Sequence, residues 1–301
     1  MSPEVKHIKT SVLDIAYEEG GPSDGTPVFL MHGFPYAPRG YDAMLPLLTA
    51  QGCRAIVPYL RGYGPTRFLS ADTMRSGEQA ALGNDLKELM DALEIERAIL
   101  CGYDWGGRAC CIVAALWPER VRGLVSGGGY NIHDVAGSAK PADAAQEHRA
   151  WYCYYFCTPR GIAGLTENRR DIAKLLWQLW LIGEPFDDAL FEKSAPSFDN
   201  PDFVDVVIHS YRVRYGYAAG DPSLAEIERR LAAKPPITIP TIVLHGTADG
   251  IAPPEASAGH ARHFTGPYAR RLVPRAGHAL PQDAPREMAD AVLELIRSER
   301  H

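Results

Sequence analysis

One short stretch limits the possible folds of this chain more than any other. The apolar run Ala98-Ile99-Leu100 leads into Gly102-Tyr103-Asp104-Trp105-Gly106, and a helical pattern then continues to Pro118. The spacing Gly-x-Asp-x-Gly is that of a nucleophile elbow, a strained strand-to-helix turn, with aspartate where serine is more usual. Such a turn lifts its central side chain above the sheet edge at a helix N-terminus. The alternative is a glycine-rich turn with a capping aspartate.

Strand-like and helix-like segments alternate on both sides of this turn. This rhythm predicts an α/β fold with a doubly wound, mainly parallel central sheet flanked by helices. Two opening strands are expected within residues 6–17. The further strands are predicted at 28–31, 54–58, 98–100, 121–126, 241–246 and 270–274, and helices outside the middle region at 41–51, 74–93 and 285–297.

The strand–helix rhythm stops in the middle of the chain. Residues 130–235 carry aromatic-rich helical patterns at 151–156, 172–181 and 203–217 instead. We therefore expect a core formed by residues 1–129 and 236–301, with residues 130–235 inserted as a helical cap. Ligands of such sheets bind at the carboxyl ends of the strands, where a cap excludes water.

Composition excludes several classes of function. The formal net charge of −6 gives no basic footprint for nucleic acid, and no stretch is apolar enough for a membrane span. The six cysteines lack the Cys/His spacing of a zinc site and are interpreted as reduced thiols. We expect a cytoplasmic monomer or homodimer that needs no metal or organic cofactor.

Three further features occur in the chain order that an elbow nucleophile requires. Asp249 follows a late strand, and His278 follows the last strand. His32-Gly33-Phe34-Pro35 follows an early strand, where oxyanion donors are expected. Asp249 alone could be a turn residue and His278 a surface residue, but the three features together predict a catalytic triad of Asp104, Asp249 and His278.

With these motifs and Arg61-Gly62-Tyr63-Gly64, nearly the whole chain resembles the α/β-hydrolase superfamily. The similarity is to its branch of epoxide hydrolases and haloalkane dehalogenases. The resemblance implies an α/β-hydrolase fold with a helical cap and a small-molecule epoxide or organohalide as substrate.

An aspartate nucleophile implies chemistry different from that of serine. Its carboxylate is already ionised at neutral pH and attacks an sp3 carbon, which leaves an alkyl ester on Asp104. His278, oriented by Asp249, is then expected to activate a water that hydrolyses the ester. The backbone N–H groups of Phe34 and Trp105 are expected to form the oxyanion hole.

The leaving group distinguishes the two activities. An epoxide oxygen needs proton donors, and the resemblance implies two tyrosines of the cap. Tyr152 lies in Tyr152-Cys153-Tyr154-Tyr155-Phe156, and Tyr211 precedes Arg212, as in epoxide hydrolases. Both could instead merely pack the cap, but we favour the catalytic interpretation and an epoxide hydrolase that forms vicinal diols.

Two alternatives remain open from the sequence. Trp105 stands at a position where haloalkane dehalogenases have a tryptophan whose indole N–H binds halide. Fluoroacetate dehalogenases share a tyrosine at Tyr211, and Arg108 matches one of their two carboxylate-binding arginines, although Trp105 replaces the other. A non-catalytic ligand-binding protein is disfavoured, because a pure binder does not need a water-activating histidine.

The substrate pocket is predicted around His32, Pro35, Trp105 and Tyr41. Tyr41 stands where a tryptophan commonly follows His-Gly-Phe-Pro in epoxide hydrolases, so it could reshape the pocket.

Overall fold

A computed structural model describes residues 4–298 of the 301-residue chain. Within this range a nine-stranded sheet forms the centre of the molecule. The strands are β1 Val5–Lys9, β2 Leu13–Gly20, β3 Thr26–Met31, β4 Cys53–Pro58, β5 Arg67–Phe68, β6 Ala98–Gly102, β7 Val121–Gly127, β8 Thr241–Gly246 and β9 Tyr268–Val273.

The order β1-β2-β4-β3-β6-β7-β8-β9 is that of a doubly wound sheet, and β5 pairs with β2 at one side. Pairing is parallel from β4 through β3, β6, β7 and β8 to β9, and antiparallel between β1 and β2 and between β2 and β4. Strand β6 lies between β3 and β7, and all five of its residues are buried. A continuous apolar run is expected of a parallel strand covered on both faces. The mainly parallel sheet predicted from the sequence is confirmed.

Helices cover the sheet and form the region between β7 and β8. The α-helices are α1 Leu45–Thr49, α2 Gln79–Ala92, α3 Asp104–Leu116, α4 Ala144–Arg149, α5 Trp151–Cys157, α6 Pro159–Trp180, α7 Asp188–Ser194, α8 Phe203–Arg214, α9 Ala225–Ala232, α10 Leu280–Asp283 and α11 Pro285–Ser298. Short 3-10 helices lie at Pro38–Tyr41, Pro118–Arg120, Ala136–Ala139, Ala195–Asp199, Pro222–Leu224 and Pro254–His263.

Helix α2 is shorter than the predicted helix 74–93, because side chains bind the backbone just before it. Arg61 Nη1 donates to Ser76 O at 2.7 Å, and Gly77 N donates to Nδ1 of His209 at 3.0 Å. These groups are therefore unavailable to an additional helical turn. The predicted helix 41–51 is likewise reduced to a 3-10 turn and α1, where Pro46 occupies the first turn that a proline tolerates.

Helices α4 to α9 lie between β7 and β8 in the chain, within the segment predicted as a cap. Trp177 on α6 joins this segment to the core, because its indole N–H donates to Pro35 O at 2.7 Å. The division at residues 130 and 235 stays our interpretation of the domain organisation. Among residues 4–298, no helix has both the length and the apolar character that crossing a bilayer requires.

Candidate active site

The elbow places Asp104 at the first residue of α3, directly after β6. Its backbone has φ +50°, in the left-handed region that a non-glycine residue rarely occupies. The turn is possible because α3 approaches β3 closely: a Cβ atom added at Gly106 would lie 2.1 Å from Met31 O. Such strain is typical of functional turns held by the structure around them.

The Asp249 carboxylate bridges its own turn and the histidine. Its Oδ1 accepts hydrogen bonds from Ile251 N at 2.9 Å and Ala252 N at 3.0 Å. Its Oδ2 accepts from His278 Nδ1 at 2.8 Å. Burial opposes ionisation, but the neighbouring His278 and the two backbone donors hold the Asp249 pKa below its ordinary value. Asp249 is therefore an ionised carboxylate that fixes the orientation of the imidazole.

His278 turns its second nitrogen towards Asp104. The distance from Nε2 to Asp104 Oδ2 is 3.6 Å, which is longer than a hydrogen bond. Burial disfavours the charged ring, yet Asp249 and Asp104 outweigh it and raise the His278 pKa to about 10. Burial also opposes ionisation of Asp104, but the proximity of His278 lowers the Asp104 pKa overall. The resting site therefore contains a protonated imidazole between two carboxylates.

This charge arrangement gives a prediction for Asp104→Asn. The substitution removes one of the two negative charges that raise the His278 pKa, so that pKa should fall by about one to three units. NMR titration of the His278 ring in both proteins measures the change. An unchanged His278 pKa would contradict the proposed proximity.

One of the two predicted oxyanion donors already binds the predicted nucleophile, Asp104. Phe34 N donates to Asp104 Oδ1 at 2.7 Å. Trp105 lies in the first turn of α3, where backbone N–H groups have no acceptor within the helix. The backbone N–H groups of Phe34 and Trp105 can thus stabilise negative charge on an oxygen bonded to Cγ of Asp104.

Both predicted cap tyrosines lie above the elbow. The rings of Tyr152 on α5 and Tyr211 on α8 are 5.5 Å apart, and they pack against Phe34 at 6.3 and 5.6 Å. Burial, and to a lesser extent the charge of Asp104, raises the pKa of each phenol well above its ordinary value. Both phenols therefore remain protonated at neutral pH and can donate protons to an oxygen near Asp104.

The predicted pocket residues do not all face the site in the same way. His32 is fully buried; its Nδ1 donates to Gly33 O at 3.0 Å, and its Nε2 accepts from Leu60 N at 3.2 Å. Tyr41 is also buried, and its hydroxyl donates to Met31 O at 2.9 Å. Both side chains thus hydrogen-bond to backbone groups near the oxyanion loop, and their place in the pocket stays a prediction. Trp105 packs on Phe34 at 5.6 Å.

A cavity of about 580 Å³ adjoins the elbow. Asp104 does not line it, but Arg108, one helical turn after Asp104, and Arg214, three residues after Tyr211, do. Arg108 is buried, and its Nη2 donates to Nε2 of His133 at 2.6 Å.

Sequence reasoning missed Trp180 and His133. Trp180 packs its ring against His278 at 5.2 Å and against Tyr152 at 5.3 Å. Neither residue belongs to a recognisable motif, and only the burial of aromatic residues near the end of a predicted cap helix could have suggested Trp180.

Among the residues that the structure describes, no group of three or more His, Cys, Asp or Glu side chains is arranged to hold a metal ion.

Comparison with known proteins places this arrangement in a family. A family model described as the alpha/beta hydrolase fold matches residues 26–285. The chain belongs to this α/β hydrolase family. A solved structure of a candidate epoxide hydrolase from Klebsiella pneumoniae is 46% identical, with a TM-score of 0.95, and the match covers 98% of this chain and 97% of that chain.

Curated relatives of this α/β hydrolase include both activities that the sequence suggested. Epoxide hydrolase A of Mycobacterium tuberculosis is 26% identical over 98% of each chain. A haloalkane dehalogenase of Psychrobacter cryohalolentis is 28% identical over 62% of this chain and 60% of that protein. The fold and the family relationship predicted from the sequence are thus confirmed.

Proposed function

We propose that this α/β hydrolase is an epoxide hydrolase that converts an epoxide and water into a vicinal diol through an ester on Asp104. The observation that carries the proposal is the pair of buried, protonated phenols of Tyr152 and Tyr211 next to the nucleophile. An epoxide oxygen leaves as a strongly basic alkoxide, which needs such donors, whereas a halide does not. The similarity to epoxide hydrolases supports the same conclusion.

In the first half-reaction an oxygen of Asp104 forms a bond to an epoxide carbon. The bond between that carbon and the epoxide oxygen breaks, and its electron pair stays on the oxygen. This oxygen takes a proton from Tyr152 or Tyr211, which leaves a tyrosinate. The product is a hydroxyalkyl ester of Asp104.

Formation of the ester also prepares the base for the second half-reaction. The ester removes the charge of Asp104, and this favours transfer of the proton of His278, whose pKa is about 10 in the resting site, to the tyrosinate left by the first half-reaction. Neutral His278 then takes a proton from a water whose oxygen attacks Cγ of the ester. The oxyanion is held by the N–H groups of Phe34 and Trp105.

Collapse of this oxyanion breaks the ester bond and releases the diol, with the proton on His278 going to the departing alkoxide. The acid proton of regenerated Asp104 passes to His278, which restores the protonated imidazole of the resting site. The sum is one epoxide plus one water giving one diol, and no cofactor takes part.

The experiment that tests this function uses His278→Gln, which should halt the reaction after the first step. The variant is incubated separately with epoxides, haloalkanes and haloacids, and its intact mass is measured. A mass gain equal to the whole epoxide, mapped to Asp104, is the expected result. The same incubation with Asp104→Asn/His278→Gln is the control and should give no adduct.

Hydrolytic dehalogenation of a haloalkane or haloacetate is the second candidate, supported by the haloalkane dehalogenase relatives and by Trp105. It would give an adduct equal to the substrate minus hydrogen halide, and halide release that tolerates loss of Tyr152 but not of Trp105. This outcome, or the absence of any adduct, would contradict the epoxide hydrolase function. The cytoplasmic location and the monomeric or homodimeric state remain predictions.

A further inference from the structure

The end of helix α6 touches both loops that complete the triad. Trp180 O accepts hydrogen bonds from Gly250 N at 3.2 Å and from His278 N at 3.1 Å. Two residues later, Ile182 N donates to Ala248 O at 2.9 Å. We call residues 179–182 the cap tether, because they join the cap to the loops of Asp249 and His278.

Glycines permit the tether to come this close. A Cβ atom at Gly250, next to Asp249, would lie 2.0 Å from Leu179 O. A Cβ atom at Gly277, next to His278, would lie 2.8 Å from Trp180 O. Real Cβ atoms do not approach a carbonyl oxygen this closely, so any larger residue would force the tether and the loops apart.

The side chain of Trp180 reinforces these backbone contacts. Trp180 is 2% exposed, and its indole meets the His278 ring edge-on at a centroid distance of 5.2 Å. The Asp249–His278 hydrogen bond fixes one side of the imidazole, and Trp180 limits its movement on another. Trp180 thus restrains the main chain of the Asp249 loop and both the main chain and the ring of His278.

We propose that the backbone contacts of the cap tether position Asp249 and His278 for hydrolysis of the ester and are dispensable for its formation. The proposal rests on the half-reactions assigned above. Ester formation uses Asp104 and the two tyrosines, whereas the tether makes its hydrogen bonds to the loops of the acid and the base. Trp180 acts through His278 and is therefore a positioning residue.

The test is Gly250→Ala, which separates the acid loop from Leu179 O. Since a misplacement of about 1 Å can cost about 100-fold in rate, we expect ester hydrolysis to slow by about 10- to 100-fold. The rate of ester formation should change by less than about threefold. Rapid quenching followed by intact-mass measurement gives both rates, and the ester should accumulate during turnover.

Gly259→Ala is the matched control. It lies in the same region of the chain, and an added Cβ atom would approach only the flexible Arg262 guanidinium, at 3.5 Å. Both rates should stay at the wild-type level. Trp180→Phe is a second variant that keeps the carbonyl and alters the ring packing on His278 and on Tyr152; it should slow hydrolysis less than Gly250→Ala does.

The possible outcomes separate the proposal from the function on which it rests. Equal slowing of both steps in Gly250→Ala, or unchanged hydrolysis, overturns the tether proposal while ester accumulation in His278→Gln still supports the function. If His278→Gln gives no ester, the proposed function is wrong. An NMR titration of His278 in the proteins that keep this histidine then tests the tether proposal by itself. Loosened contact with Asp249 should lower the His278 pKa in Gly250→Ala but not in Gly259→Ala, and an unchanged pKa overturns the proposal.

Discussion

The double substitution Tyr152→Phe/Tyr211→Phe should reduce epoxide turnover by at least about 1,000-fold. General-acid catalysis typically contributes about 100- to 10,000-fold, and the substitution removes both proton donors near Asp104. Each phenylalanine keeps the ring packed against Phe34, so the change is chemical rather than steric. Initial rates of diol formation by wild type, each single variant and the double variant measure the effect.

Tyr154→Phe is the appropriate control for the tyrosine pair. Tyr154 lies on the same helix, but its side chain is 38% exposed and packs on Tyr215. The control should retain wild-type turnover, and each single variant should fall between the control and the double variant. Turnover by the double variant within tenfold of wild type would remove the assigned role from both tyrosines.

The largest stability effect is expected for Arg61→Met. Arg61 and Asp85 are both buried and form two hydrogen bonds, from Nε and Nη2, each 2.6 Å long. Removal of the guanidinium leaves the Asp85 carboxylate buried without its counterion, which typically costs about 3–5 kcal/mol. We expect the midpoint of thermal unfolding, measured by circular dichroism, to fall by about 5–10 °C.

Two further variants test whether the stability lost in Arg61→Met comes from the buried charge. Arg61→Met/Asp85→Leu should recover much of the stability, because replacing a whole buried ion pair by apolar groups is often nearly neutral. Arg229→Met breaks the exposed pair with Glu226 and should leave the free energy of unfolding nearly unchanged. Equal losses for Arg61→Met and Arg229→Met would contradict a special role of the buried pair.

The sequence predicts the chemistry of the site better than its supporting contacts. Asp104 is identifiable because a nucleophile elbow needs glycines at fixed positions around one residue. Asp249 and His278 are identifiable because parallel strands bring their carboxyl ends to one edge. In each case a local pattern or a topological rule carries the information, so no distant contact has to be known.

Contacts between the cap and the core carry no comparable local signal. Trp180 reads in the sequence as an aromatic residue of an amphipathic helix, and only the folded chain brings its carbonyl to His278 N. The hydrogen bonds of His32 and Tyr41 to backbone groups have no local signal either. Their motif indicates that they are near the site, but which side chain turns towards the backbone depends on packing from distant segments.

Phe34 contributes both its backbone N–H and its aromatic ring to the site. Its backbone N–H binds Asp104 Oδ1, and its ring contacts six aromatic rings from the elbow and the cap. A smaller residue there would widen the pocket but would also free the main chain that carries the oxyanion donor. Substrate range and reaction rate are therefore not independently adjustable at this position. Laboratory evolution towards bulkier substrates should accordingly leave Phe34 unchanged.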